Sequence, residues 1–269
     1  MKTHTCKKKK MKKYILIVLA TFTSILSSQE KKVAFKSGEW LKFRIHYGIF
    51  NASEATLHLT HDDLNGKNVF RVKGEGKTTG LARAFYKVED VYESYFDKEN
   101  GRPYKFIRKT DEGGYTKDVE INFNYKENEA ILNDKKNDKK LSFTINNKVQ
   151  DLVSAFYFIG NNYEFSDLVI GEFIKLDMLY DDDGVYQFKL KYLGKDTLKT
   201  KFGKVECLKF RPYVQAGRVF KEEESLSLWV SNDQNKIPIR IKADIAVGSI
   251  KADLDGYNGL KNQFKIIMD

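Results

Sequence analysis

Apolar and polar residues alternate with period two along most of this chain. Over residues 39–47, Leu41, Phe43, Ile45 and Tyr47 fall on one side, and Trp40, Lys42, Arg44 and His46 on the other. Successive side chains of a strand point to opposite faces, so the spacing predicts a half-buried strand. Ala55, Leu57 and Leu59 repeat the pattern over 55–59, and the short link 48–51 predicts a hairpin between the two. Asn65-Gly66 is a turn pair that leads into a third strand over 68–77. The same grammar predicts strands at 88–96, 104–109, 115–125, 173–180, 185–192, 205–212, 225–230, 237–247 and 249–255. Gly113-Gly114 and Asp181-Asp182-Asp183-Gly184 read as turns, and the Lys-, Asn- and Asp-rich stretch 133–140 as an exposed tip. Pro238 falls near the start of its strand, where a missing N–H is tolerated.

Two segments break the alternation. Residues 80–87 predict a short helical crossing. Residues 151–159 predict a helix capped by Asp151, with Leu152, Phe156 and Ile159 on one face and Gly160 ending it. No Pro/Gly-rich linker, composition break or internal repeat divides the chain. The expected fold is mainly β: a large curved antiparallel sheet, open barrel or sandwich, with one or two short helices.

The N-terminus has a different pattern. Residues 1–13 carry seven lysines and no acid, residues 14–26 are an apolar run, and Ser27, Ser28 and Gln29 follow. That is the order of a secretory signal, and the run falls short of the roughly 20 residues that span a bilayer. Residues 1–28 are expected to be a cleavable signal peptide, cut between Ser28 and Gln29, with 29–269 as a single exported β-rich domain. A start at Met11 would keep the signal intact. Cys6 precedes the apolar run, and no cysteine stands just after it, where a lipid-anchored signal needs one. The expected product is soluble, periplasmic or secreted, and meets a membrane only during export.

The signal changes how the charge is read. The whole chain is +10, but residues 1–28 hold 7 of its 47 basic residues and none of its 37 acidic ones. The remainder has 40 basic against 37 acidic residues, or +3. Such a balance gives no reason to expect a nucleic-acid partner. Cys207 is the single cysteine beyond the signal, so it forms no internal disulfide and reads as a buried structural thiol.

Candidate chemistry is sparse. His46 and His58 fall on the outer faces of paired strands and are expected to approach each other, whereas His58 and His61 fall on opposite faces. A zinc site needs three or four converging ligands, so no metal site is expected. The chain contains no G-x-S-x-G, H-E-x-x-H or phosphate-loop motif, and no catalytic residue or cofactor is assigned. Gly74-Glu75-Gly76 reads as a bulge or a close backbone approach. Glu89 and Glu93 share one strand face and Asp90 the other, as on a solvated sheet. The aspartates at 181–183 lack the alternate spacing of a calcium loop. The 19 Phe and 15 Tyr residues either fill the interior or line a hollow that takes an apolar ligand; periodicity does not separate the two.

Several pieces, in order, resemble a known family. They are Gly38-Glu39 with Leu41, Phe43, Ile45 and Tyr47-Gly48; the run Asp151-Leu152-Val153-Ser154-Ala155-Phe156-Tyr157; and Trp229-Val230-Ser231, Asp233, Pro238-Ile239 and Gly248-Ser249. The chain resembles the domain-of-unknown-function 3108 family of exported bacterial proteins over nearly all of 29–269. It departs from that pattern at Ser53 and Gly160, where the family carries Gly and Arg, and without the arginine a charged-ligand role for the helix loses its support. The resemblance implies an exported β-rich domain and no particular activity. Three functions follow from the residues: non-enzymatic binding of an apolar or amphipathic ligand such as a lipid or lipoprotein, an interaction module for another envelope protein, and a hydrolase with an unrecognised site.

Overall fold

Turn chemistry sets the path of the sheet. Asn65 and Gly66 both take positive φ, 54° and 80°, which is the two-residue turn that twists in step with its flanking strands. In the computed structural model, residues 33–213, 225–245 and 247–267 are described. The expected signal peptide, its cut at Ser28 and Gln29, and Cys6 lie outside those residues.

The first eight strands are β1 Trp40–Tyr47, β2 Phe50–Leu64, β3 Lys67–Thr78, β4 Val88–Asp97, β5 Pro103–Glu112, β6 Tyr115–Asn124, β7 Glu129–Asp134 and β8 Lys139–Thr144. The short helix α1, Gly80–Phe85, joins β3 to β4. Helix α2, Ser154–Asn162, separates β8 from the return set. That set is β9 Phe173–Met178, β10 Tyr186–Thr200, β11 Gly203–Tyr213, β12 Leu226–Ser231, β13 Pro238–Asp244 and β14 Ser249–Asn258. All fourteen belong to one antiparallel sheet in the order β8-β7-β6-β5-β4-β3-β2-β1-β14-β13-β12-β11-β10-β9. Two meanders therefore meet where β1 pairs with β14, and β8 and β9 are left as edges. The sheet does not close, but Gln150 spans the seam by its backbone. Its N–H donates to the Asp177 carbonyl at 2.9 Å, and its carbonyl accepts from the Leu179 N–H at 2.9 Å.

The sheet wraps around α2. On one side Tyr157 packs with Phe35 and Phe96, ring centroids 4.8 and 5.5 Å away. On the other, Ala155 and Ile159 pack with Leu190, Leu208, Phe210 and Val230. A single helix touching both meanders requires a curved sheet. The helix is fixed at its entrance by Asp151, which is completely buried. Asp151 Oδ1 accepts the N–H groups of Val153 and Ser154, each at 2.8 Å, and the Ser154 hydroxyl accepts the Asp151 N–H at 3.0 Å. This is a reciprocal cap. Ser94 of β4 donates to Asp151 Oδ2 at 2.6 Å, tying the cap to the sheet.

The elements differ from the sequence reading in four places. The stretch 133–140 is exposed over 135–140, as expected, but it is not all turn: β7 and β8 take its ends, Asp134 is buried, and a four-residue turn remains. Both strands are short and half polar, so their alternation hides among Lys, Asn and Asp. Helix α2 starts three residues late, because Leu152 and Val153 form a turn, and it runs through Gly160 to Asn162. Gly160 is buried there, and a Cβ added to it would stand 3.8 Å from the Ala34 Cβ, an ordinary contact, so nothing at this position stops the helix. Gly74 and Gly76 sit in unbroken register with β2, so of the two alternatives the bulge is absent and the close approach holds: a Cβ on Gly74 would stand 3.1 Å from Leu57 Cδ2. His46 and His58 do not approach: His46 pairs with Asn51 across β2, and His58 pairs with Trp40.

Candidate functional site

Helix α2 is nine residues long, while β10 runs for fifteen. At about 1.5 Å per helical residue and 3.3 Å per strand residue, the helix covers roughly a quarter of that strand's length. Part of the concave face is thus left for other groups to fill, and the two meanders fill it differently.

Beneath β9–β13 the space is an apolar cavity of about 270 Å³. Its wall on the helix side includes Phe156 and Ile159 of α2 and Leu152 of the turn before it, the three residues assigned to one face by their spacing. Its sheet wall includes Phe188, Phe210 and Leu228. Leu152 and Ile241, 44% and 41% exposed, mark where it meets solvent. Among its described lining residues Lys236 is the charged one. The Lys236 ammonium donates to the carbonyls of Gly160 and Tyr163 at 3.0 and 2.8 Å and lies 4.8 Å from the centre of the Phe165 ring. It therefore holds the C-terminal carbonyls of α2, where a cation complements the helix dipole. An apolar void of roughly 150 Å³ is enough for a single aromatic ring, so this one has room for a larger apolar group.

Beneath β4–β6 the concave face carries charged side chains instead, and Asp90, Thr110 and Lys117 line a polar cavity of about 680 Å³. Asp90, Arg108, Thr110 and Lys117 lie on the strand face that also carries Phe106 and Val119. Asp181, from the turn between β9 and β10, reaches across the seam. It takes a short bond from Arg108 and accepts from Lys117 Nζ at 2.8 Å, while Asp182 accepts from the same ammonium at 3.0 Å. Lys117 holds Asp182 down at about 2. Asp90 is pushed up to about 6 by burial and then by the neighbouring Glu112 carboxylate. The aspartate turn thus faces the opposite meander as a lock, a role that its sequence spacing did not show.

The remaining candidate residues are dispersed. His46 Nε2 lies 2.8 Å from Asp253 Oδ2, His58 is exposed, and His61 stacks on Phe70 at 5.1 Å. Among the described residues no group of three or more His, Cys, Asp or Glu side chains is placed to hold a metal ion. Cys207 is a buried free thiol, pushed up to about 12 mainly by burial. Glu93 on the outer face of β4 is drawn to Arg71 at 2.8 Å, and Glu89 to Lys87 at 2.8 Å. Two buried acids among the described residues escaped the sequence reading: Asp134, which lies in the stretch read as an exposed tip, and Glu39. Glu39, 1% exposed, is pushed up to about 7 by burial. Only its place before an apolar alternation hinted at it. No described helix is long and apolar enough to cross a membrane.

Residues 42–255 match the family model described as protein of unknown function, DUF3108. No curated protein matches the chain. Among solved structures, the chain is similar to a β-barrel-like protein of the domain of unknown function DUF1849 from Brucella abortus. That similarity has 9% identity, covers 85% of this chain and 100% of the other, and has a TM-score of 0.54. Two further structures score lower. A protein named as exported, with a YmcC-like fold, from Bacteroides fragilis NCTC 9343 shares 8% identity over 84% of this chain and 99% of its own, at a TM-score of 0.31. A protein named as a lipoprotein from Parabacteroides distasonis ATCC 8503 shares 10% identity over 84% and 98%, also at 0.31. The first of these likenesses agrees with the β-barrel-like fold.

Proposed function

The chain belongs to the DUF3108 family, and we propose that it is a non-enzymatic envelope protein that holds an apolar or amphipathic molecule, a lipid chain or the acyl part of a lipoprotein, in the cavity between α2 and β9–β13. The cavity carries the reading. Concave apolar sites with few polar groups are the usual form of a small-molecule pocket. Gly160 adds no charge to the helix wall. A periplasmic or secreted setting fits the N-terminal pattern of lysines, apolar run and small residues. An interaction module would be favoured by an apolar surface without a cavity, and here a cavity is present.

The test begins with protein purified without detergent as the producing cell processes it. Solvent extraction and mass spectrometry should recover a stoichiometric lipid. Leu228→Trp places an indole into the void rather than into packed atoms, so it should keep the thermal midpoint and lose both the lipid and the binding of an environment-sensitive fatty-acid probe. An empty extract together with no probe binding by the unsubstituted protein would sink the proposal.

A further inference from the structure

The end of the sheet that carries α1 exposes a row of large apolar side chains. Helix α1 buries none of its residues: Leu81 is 83% exposed and Phe85 88%. Ile49, in the β1–β2 turn, is 90% exposed, and Phe50 and Val247 are also mostly exposed. These groups come from three separate connections, yet they are joined into one surface. The Tyr47 hydroxyl donates to the Val247 carbonyl at 3.0 Å, linking the β13–β14 turn to the β1–β2 turn. The Thr79 N–H donates to the Ala52 carbonyl at 3.0 Å, linking β2 to α1. The Tyr86 hydroxyl donates to the Glu112 carbonyl at 3.0 Å, linking α1 to the β5–β6 turn.

We propose that this rim is a docking surface for a lipid bilayer. A six-residue helix is too short to form through its own propensity, and α1 contributes nothing to the core, so packing gives no reason for Leu81 and Phe85. Apolar groups on projecting turns, flanked by half-exposed tyrosines, match the interface of a bilayer, where tyrosine lies at the headgroup level. The charges around the row are matched among themselves. Lys77 pairs with Glu54 at 3.1 Å, Arg83 with Glu89 at 2.5 Å, Lys87 with Asp111 at 3.0 Å and Lys242 with Asp244 at 2.8 Å. These pairs offset one another, and what the exposed Leu81, Phe85 and Ile49 add is apolar attraction. The surface is also continuous with the pocket. Leu226, a lining residue of the cavity, pairs with Ala243, Ala243 with Ile250, Ile250 with Tyr47, and Tyr47 with Phe50. Directly paired residues share a sheet face, so an apolar track runs from the pocket to the rim. Docking does not depend on what the pocket holds; where the pocket reading is right, the track is the path by which a lipid enters.

The experiment is co-sedimentation of the purified protein with neutral phosphatidylcholine vesicles and with phosphatidylglycerol-containing vesicles, at low and high salt. Binding to both, little changed by salt, is expected. The double variant Leu81→Ser/Phe85→Ser alters only exposed side chains, so it should keep its circular dichroism and thermal midpoint while partitioning about tenfold more weakly or worse. Absence of binding by the unsubstituted protein overturns the proposal. So does equal binding by the variant, or binding confined to anionic vesicles at low salt. A dimer seen by sedimentation equilibrium, lost in the variant and unaccompanied by vesicle binding, would assign the rim to a second copy of the chain. Vesicle binding with an empty solvent extract and no probe binding would remove the pocket reading and leave docking in place; the reverse pattern would do the opposite.

Discussion

Glu39 should make the protein less stable as the pH rises. The residue stands at the entry to β1, with its N–H donating to the Lys36 carbonyl at 3.2 Å and its carbonyl accepting from Leu59 at 2.9 Å. Its backbone is thus fixed, and its carboxyl is held in the interior, where Oε2 has no hydrogen-bond partner. Burial moves the group from its usual 4.5 to about 7. The folded state therefore binds a proton that the unfolded state has released between those values, and stability falls through that interval and is flat above it. At about 1.4 kcal/mol for each pKa unit, the cost approaches roughly 3 kcal/mol by pH 8. Glu39→Gln keeps the size and removes the titration. Its gain over the unsubstituted protein should grow by about 2.5 kcal/mol between pH 5 and pH 8. With an m-value of roughly 2–3 kcal/mol/M, the urea midpoint should move by about 1 M, read by tryptophan fluorescence at each pH. Asp90 and Asp151, each held at about 6 first by burial, titrate in the same direction, but they do so in both proteins and cancel in the difference. A gain that is the same at both pH values would refute the reasoning.

Other expectations follow from the same reading of burial. Asp181→Ala strips a partner from two cations whose side chains are only 13% and 14% exposed, so it should cost about 3 kcal/mol in urea unfolding. Lys195→Ala, which removes an exposed pair 3.9 Å from Glu206, should stay within about 0.5 kcal/mol of the unsubstituted protein, and equal effects would discredit the lock. Asp151→Ala leaves the Ser94 hydroxyl and two N–H groups without their acceptor and should cost at least about 2 kcal/mol, again by urea unfolding. Cys207, fully buried with its thiol at about 12, should resist maleimide at mildly alkaline pH until urea unfolds the chain. Rapid labelling of the native protein would show the thiol to be accessible.

Much of the sheet was legible because its signals are local. Leu41, Phe43 and Ile45 alternate within one strand, and Asn65-Gly66 turns the chain without outside help. The helix face of Leu152, Phe156 and Ile159 was legible for the same reason, and it became the wall of the pocket. What escaped depends on pairs distant in sequence. Asp181 looked like one aspartate in a turn because its partners, Arg108 and Lys117, lie on the other meander. Glu39 looked like an ordinary polar residue before a strand because its burial is produced by elements that follow it. His46 and His58 looked like neighbours because both fall on the outer faces of paired strands, but His58 stands opposite Trp40, six residues from His46 along β1, and His46 stands opposite Asn51.

The pocket and the open seam have a common cause. A closed barrel would need β8 and β9 to pair, yet residues 145–150 lie between them, and among the described residues Gln150 makes the backbone bridge to β9. The chain that fills the seam must then turn inward, and it does so as α2. Because α2 enters from the seam, it packs against both meanders but is too short to cover either completely. On the β4–β6 side Asp181 and Asp182 cross the seam to Arg108 and Lys117, and the space left there is a polar cavity lined by Asp90, Thr110 and Lys117. On the β9–β13 side the facing residues are apolar, and no comparable side chain among the described residues crosses to them. A barrel that closed fully would need no such helix, and its core would fill from the sheet alone. The cavity is therefore what an unclosed sheet leaves when one short helix is asked to plug it, and the apolar walls decide what it admits.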